Sequence, residues 1–126
     1  MKENIKKEVI KHGEQLKKVF NLPEETDPIK LCRTVRRYEK VLNQLATDSC
    51  NGLISLEYEE KKSEKVLNLL NGVLNFRKQN IPVFYNGDCR GYALKIKDDY
   101  VRENNLNIKR DWGGFGLIAP DLSEGF

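Results

Sequence analysis

The chain has 126 residues, of which 39% are hydrophobic and 33% charged, and its formal net charge is +3. This length suits one domain with a core of its own, and the charge falls well short of the strongly basic balance of a dedicated nucleic-acid binder. No apolar run approaches the roughly 18 residues of a membrane span, and no apolar signal segment follows the first residues. We therefore expect a single cytoplasmic domain over residues 1–126.

The cysteines and the histidine indicate structural rather than catalytic roles. Cys32, Cys50 and Cys89 are an odd number without CxxC spacing, which predicts reduced thiols and neither a disulfide framework nor a zinc site. Cys32 and Cys50 fall near helical core positions and are expected to be small buried side chains. His12 lies on an apolar stripe without metal-ligand partners at the usual spacing, so we expect no metal and no cofactor.

Three segments of the N-terminal part, residues 1–79, have helical periodicity. Their apolar stripes are Ile5, Val9, His12, Leu16 and Val19; then Leu31, Val35, Tyr38, Leu42 and Leu45; then Val66, Leu67, Leu70, Val73 and Leu74. Asp27 followed by Pro28 predicts the start of the second helix, and Asn51-Gly52 predicts its end. The third helix is expected to run from about residue 57 to about residue 77. Gly72 within it suggests the close approach of a neighbouring helix.

The period changes to that of strands in the β-rich part, residues 80–126. "IPVFY" and "YALKIK" flank "NGDCRG" and predict a hairpin, and "GGFG" followed by "LIAP" predicts a second one. Residues 98–104 read as a short helix or a loop. The predicted fold class is α+β: an N-terminal three-helix portion followed by a small antiparallel β-sheet of three or four strands.

The second helix carries a row of positive charges. Its members are Lys30, Arg33, Arg37 and Lys40, spaced i, i+3, i+7 and i+10, with Arg36 widening the row. Only Glu39 opposes them in this segment, whereas an ordinary solvated helix face mixes both signs. The pattern suits phosphate or an acidic protein surface. A merely solvated face remains the alternative.

The two glycine turns are surrounded by residues of types that commonly bind ligands in proteins. They are Asn86, Asp88, Arg90, Tyr92 and Lys95 at the first turn, and Arg110, Asp111 and Trp112 before the second. Turn chemistry alone accounts for the glycines, and neither turn has the spacing of a phosphate-binding loop. The arginines could also hold an anion while Tyr92 and Trp112 stack on a base or pack against a partner.

The order of three short motifs resembles a family of small proteins found on bacteriophages and mobile elements. The motifs are "CNG" at 50–52, "NGDCRGYALKI" at 86–96 and "DWGGFGLIAP" at 111–120, and the likeness covers about 70 residues. The family often has proline where this chain has Cys89, which argues against a reactive role for that thiol. The resemblance implies a setting inside a bacterial host cell and carries over no catalytic residues, because the family has no assigned activity.

Three classes of function follow. The first is a non-catalytic accessory protein that binds a host macromolecule or a small anionic ligand, and the second is a nucleic-acid-binding protein that uses the basic helix and the aromatic residues of the turns. The third is a phosphoesterase with a divalent metal on Asp88 and Asp111, which lacks a further visible ligand set. We predict the first class, with no enzyme activity. Self-association is also compatible with the modest apolar content.

Overall fold

The computed structural model describes residues 3–87, 93–106 and 118–120, with residues 119 and 120 described by their backbone alone. The elements in chain order are α1 (Glu3–Val19), α2 (Pro28–Cys50), α3 (Leu56–Leu74), β1 (Val83–Tyr85), β2 (Leu94–Ile96), α4 (Asp98–Glu103) and β3 (Ala119–Pro120). This order confirms a portion of three helices followed by a small sheet. The segment 98–104, open between helix and loop in the sequence, contains a short helix.

Local sequence signals set both ends of α2. The Asp27 side chain caps the helix by accepting hydrogen bonds from the backbone N–H groups of Ile29 at 3.0 Å and Lys30 at 3.5 Å. Pro28 follows at the first helical position, where its missing N–H costs nothing. The helix ends at Cys50, with Asn51 as the C-terminal cap. The predicted start and end of α2 are therefore confirmed.

The third helix is shorter than its sequence pattern suggests. Ser55 caps its N-terminus by accepting a hydrogen bond from the backbone N–H of Tyr58 at 3.1 Å. At the other end, Asn75 adopts a left-handed conformation with φ of 55°, which stops the helix at Leu74. The expectation that α3 continues to about residue 77 was wrong by one turn.

The helices pack around α2, which contacts both α1 and α3. The core joins their apolar faces to the inner face of the sheet, with Leu42, Leu70, Leu94 and Ile96 at most 1% exposed. Ile5 is 45% exposed, so the buried stripe of α1 begins at Val9 and not at Ile5.

The close approach between helices lies at a different glycine from the one predicted. A Cβ added to Gly13 in α1 would lie 2.0 Å from the carbonyl oxygen of Pro28, at the start of α2. A Cβ added to Gly72 would meet no described atom within 4 Å. The expectation for Gly72 was therefore wrong, and the glycine that helix packing requires is Gly13.

The sheet has an antiparallel pair and a parallel addition. β1 pairs with β2 in the register Val83↔Ile96, Phe84↔Lys95 and Tyr85↔Leu94. β3 pairs with β2 in parallel, so the sheet is not purely antiparallel as expected. A parallel neighbour needs a long crossover connection, and residues 97–118 provide one that contains α4. The predicted second hairpin falls mainly on residues 107–117, which lie outside the described residues, and the full strand count stays a prediction.

Candidate anion-binding surface

The basic row, defined as Lys30, Arg33, Arg37 and Lys40, lies on the solvent side of α2. All four residues are exposed, and Arg36 on the flank of the row is half-buried. The opposite side of α2 carries the core residues Leu31, Val35 and Leu42. At 1.5 Å per helical residue, the row is about 15 Å long. The predicted stripe is therefore one continuous, solvent-facing surface.

The single carboxylate of this segment does not oppose the basic row. Glu39 is 2% exposed and lies on the core side of α2, and its Oε1 atom has no hydrogen-bond partner among the described residues. Burial raises the pKa of Glu39 well above its ordinary value, and the nearby charge of Arg36 offsets part of this rise. From Lys30 to Lys40, a fully described segment, the exposed face of α2 contains no acidic residue.

Three members of the row also stand outside the ion pairs of the described residues. Lys30, Arg37 and Lys40 form no ion pair with any described residue. Other cations do: Lys61 pairs with Glu57 at 3.2 Å on α3. Arg37 and Lys40 are neighbours on the helix surface, so their like charges repel each other, and a bound anion relieves that repulsion.

The predicted glycine-turn residues are described only in part. Asn86 and Lys95 are half-buried on either side of the first turn. The remaining members lie outside the described residues, so the predicted turn site is untested there: Asp88, Arg90, Tyr92, Arg110, Asp111 and Trp112. The backbone N–H of Asn86 donates to the carbonyl oxygen of Ala93 at 2.6 Å, which closes the base of this turn as the hairpin prediction expects.

The base of the first turn is fixed to two helices by side chains that the sequence analysis did not single out. Asn43 of α2 accepts a hydrogen bond from the backbone N–H of Ala93 at 2.9 Å. Asn43 follows Lys40 by three residues, and residues at this spacing are neighbours on a helix surface. The turn base therefore adjoins the C-terminal end of the basic row.

Glu59 of α3 provides the second anchor. It is 6% exposed and accepts a hydrogen bond from the hydroxyl of Tyr85 in β1. Burial raises the pKa of Tyr85 above its ordinary value, and the bond to Glu59 raises it further, so the hydroxyl remains the donor. A Cβ at Gly87 would lie 2.5 Å from Glu59 Oε2. Glycine at this position therefore leaves room for the Glu59 carboxylate beside the backbone.

We expect Tyr85→Phe to lower the free energy of unfolding by about 1–2 kcal/mol, because the buried carboxylate of Glu59 loses its donor. Urea denaturation measures this loss. Tyr58→Phe is the matched control, since Tyr58 is 47% exposed on the same helix as Glu59 and should change stability by less than about 0.5 kcal/mol. Equal stability of the two variants would remove the anchoring role from Tyr85.

The cysteines correct one expectation and confirm another. Cys50 is exposed and disulfide-bonded, so the prediction of three reduced thiols and of a buried Cys50 was wrong. Disulfide pairing depends on distance in the fold, which the spacing of cysteines along this chain does not reveal. Cys32 is a free thiol with no exposed surface, as predicted, and its burial raises its pKa.

His12 lies beside one carboxylate on its own helix. His12 is half-buried on α1, with its Nε2 atom 3.8 Å from Glu8 Oε2. Within the described ranges, no three histidine, cysteine, aspartate or glutamate residues form a cluster that could hold a metal ion. The helices in this part of the chain are also too short or too polar to cross a membrane.

In comparisons with known proteins, no family model, curated protein or solved structure matches the chain.

Proposed function

We propose that the protein is a non-catalytic accessory protein of a phage or mobile element that binds an anionic macromolecule of the host cell through the basic row. The observation that carries this proposal is the face of α2 from Lys30 to Lys40, which is exposed, basic and without a carboxylate. Such a face needs no catalytic group to bind its partner. It suits a partner with repeated negative charges along about 15 Å of surface.

Two partner classes have this charge pattern. A nucleic acid presents phosphates at regular spacing, and it is the alternative favoured by a linear row of cations. An acidic host protein presents carboxylates in a less regular arrangement. Both require the same residues of α2, so the proposal can be tested before the partner is identified.

The test uses a double charge reversal, Arg37→Glu with Lys40→Glu. Fluorescence anisotropy measures binding to three labelled probes: single-stranded DNA, duplex DNA and poly-glutamate. We expect the variant to lose at least about tenfold in affinity for any probe that the wild type binds, because two contacts become repulsive.

The matched control is Lys62→Glu with Lys65→Glu on the exposed surface of α3. Both double variants change the formal net charge from +3 to −1, because each substitution replaces one positive charge with a negative one. Selective loss in the α2 variant supports the proposal. Equal loss in both variants reflects net charge alone and contradicts it, as does a wild-type protein that binds none of the three probes.

A further inference from the structure

The outer face of the sheet presents an aromatic ring beside two lysines. Phe84 of β1 and Lys95 of β2 are direct partners across the antiparallel pair, and partners at this position share a face of the sheet. Lys97 follows Lys95 by two residues and so lies on the same face. Its ammonium nitrogen is 4.4 Å from the centre of the Phe84 ring, which confirms this placement. We refer to these three residues as the sheet-face cluster.

The cluster lies on the opposite side of the sheet from the core. Leu94 and Ile96, which alternate with the two lysines, are at most 1% exposed. Phe84 and Lys95 are half-buried and Lys97 is exposed. The cluster therefore lies on the outer face of the sheet, with the buried residues of β2 on the other side.

The two lysines stand outside the ion pairs of the described residues. Neither Lys95 nor Lys97 forms an ion pair with a described residue. The acidic residues that follow them, Asp98 and Asp99, instead bind Arg102 at 3.4 Å and 2.5 Å. The lysines are about 7 Å apart along the strand, at roughly 3.3 Å per residue.

We propose that the sheet-face cluster binds single-stranded nucleic acid, with Phe84 stacking on a base and Lys95 and Lys97 contacting the phosphates on either side of it. The inference rests on the proposed function and deepens it by naming the anionic partner. A single strand offers both an open base face and adjacent phosphates, which is the combination that an aromatic ring among cations recognises. A duplex keeps its bases stacked inside, and an acidic protein surface has no base to stack. On binding, Lys97 exchanges the ring face for a phosphate.

The first test replaces the ring. Phe84→Leu keeps an apolar side chain but cannot stack, so its affinity for labelled oligo-dT should fall by roughly fivefold or more, while Phe84→Tyr should stay within about twofold of the wild type. Thermal melting of each variant shows whether the fold is intact. Unchanged oligo-dT affinity in a folded Phe84→Leu variant would overturn the inference.

The second test removes the charges and does not depend on the ring variant folding. Lys95→Gln with Lys97→Gln should reduce the slope of log K against log salt for oligo-dT by about 1.4, from two lost single-strand contacts. Lys62→Gln with Lys65→Gln on α3 is the control and should leave the slope unchanged. An equal slope in the wild type and the sheet variant would overturn the inference, as would tighter binding to duplex DNA than to oligo-dT.

The outcomes separate this inference from the proposed function. Loss of probe binding in the α2 variant but not in the sheet variants overturns the sheet-face cluster and leaves the basic row in place. Binding to poly-glutamate without binding to oligo-dT also overturns the sheet-face cluster and leaves the basic row in place. Failure to bind any probe overturns both.

Discussion

Gly13→Ala is expected to lower the free energy of unfolding by roughly 2–4 kcal/mol, because its methyl group would overlap the backbone of α2. The added Cβ would lie 2.0 Å from the Pro28 carbonyl oxygen and 2.5 Å from the carbonyl carbon. Backbone atoms cannot rotate away as a flexible side chain can. The two helices would therefore have to separate at the point where α2 begins.

Gly72→Ala is the matched control for this prediction. Gly72 also lies within a helix, but a Cβ there would meet no described atom within 4 Å. Alanine should therefore raise the free energy of unfolding by about 0.5–1 kcal/mol, through helix propensity alone. Urea denaturation of both variants measures the two effects. A Gly13→Ala variant as stable as the wild type would contradict the close packing of α1 on Pro28.

Glu39→Gln is expected to stabilise the protein by on the order of 1–3 kcal/mol at pH 8, and by less at pH 5. The pKa of Glu39 is raised by burial, with a smaller opposing effect from Arg36, so the folded protein favours the protonated acid. The stability associated with this group is fully present below its ordinary pKa of 4.5 and is lost as the pH rises through the raised folded value. Glutamine cannot ionise and escapes that loss.

Glu60→Gln is the matched control, because it removes the charge of an exposed carboxylate and not of a buried one. Glu60 is an exposed residue of α3, so its substitution should change stability by less than about 0.5 kcal/mol at either pH. Denaturation curves at pH 5 and pH 8 give the comparison. A Glu39→Gln gain that is equal at the two pH values would show that the folded pKa is not raised, and a loss at pH 8 would show that the fold stabilises the ionised carboxyl.

Signals between near neighbours in sequence were sufficient for the two ends of α2. The Asp27–Pro28 cap and the Asn51–Gly52 end depend on backbone groups a few residues away, and the structure confirms both. The end of α3 was missed because Asn75 adopts a left-handed conformation, which asparagine accepts but does not require. The parallel pairing of β3 depends on the path of a long connection, and the alternating pattern of a strand does not contain that information.

In the candidate site, too, features set by helical spacing were predictable from the sequence, and contacts between distant residues were not. Helical spacing predicted that Lys30, Arg33, Arg37 and Lys40 share a face, and they do. Glu39 was expected to oppose this row, because acidic side chains are mostly exposed, yet it lies on the core side. The anchors Asn43 and Glu59 were missed because each acts on a strand far away in sequence. No periodic pattern marks such contacts.

The salt dependence of polyanion binding decides whether the basic row is the binding surface of the protein. Binding of the wild type and of the Arg37→Glu, Lys40→Glu variant would be measured between 50 and 200 mM salt, using whichever of the three probes binds the wild type most tightly. If the basic row is the binding surface and the probe is a nucleic acid, the variant should lose about 1.4 to 1.8 from the slope of log K against log salt. With poly-glutamate the slope should fall in the same direction. Lys62→Glu with Lys65→Glu should keep the wild-type slope, and an α2 variant that also keeps it would contradict the account.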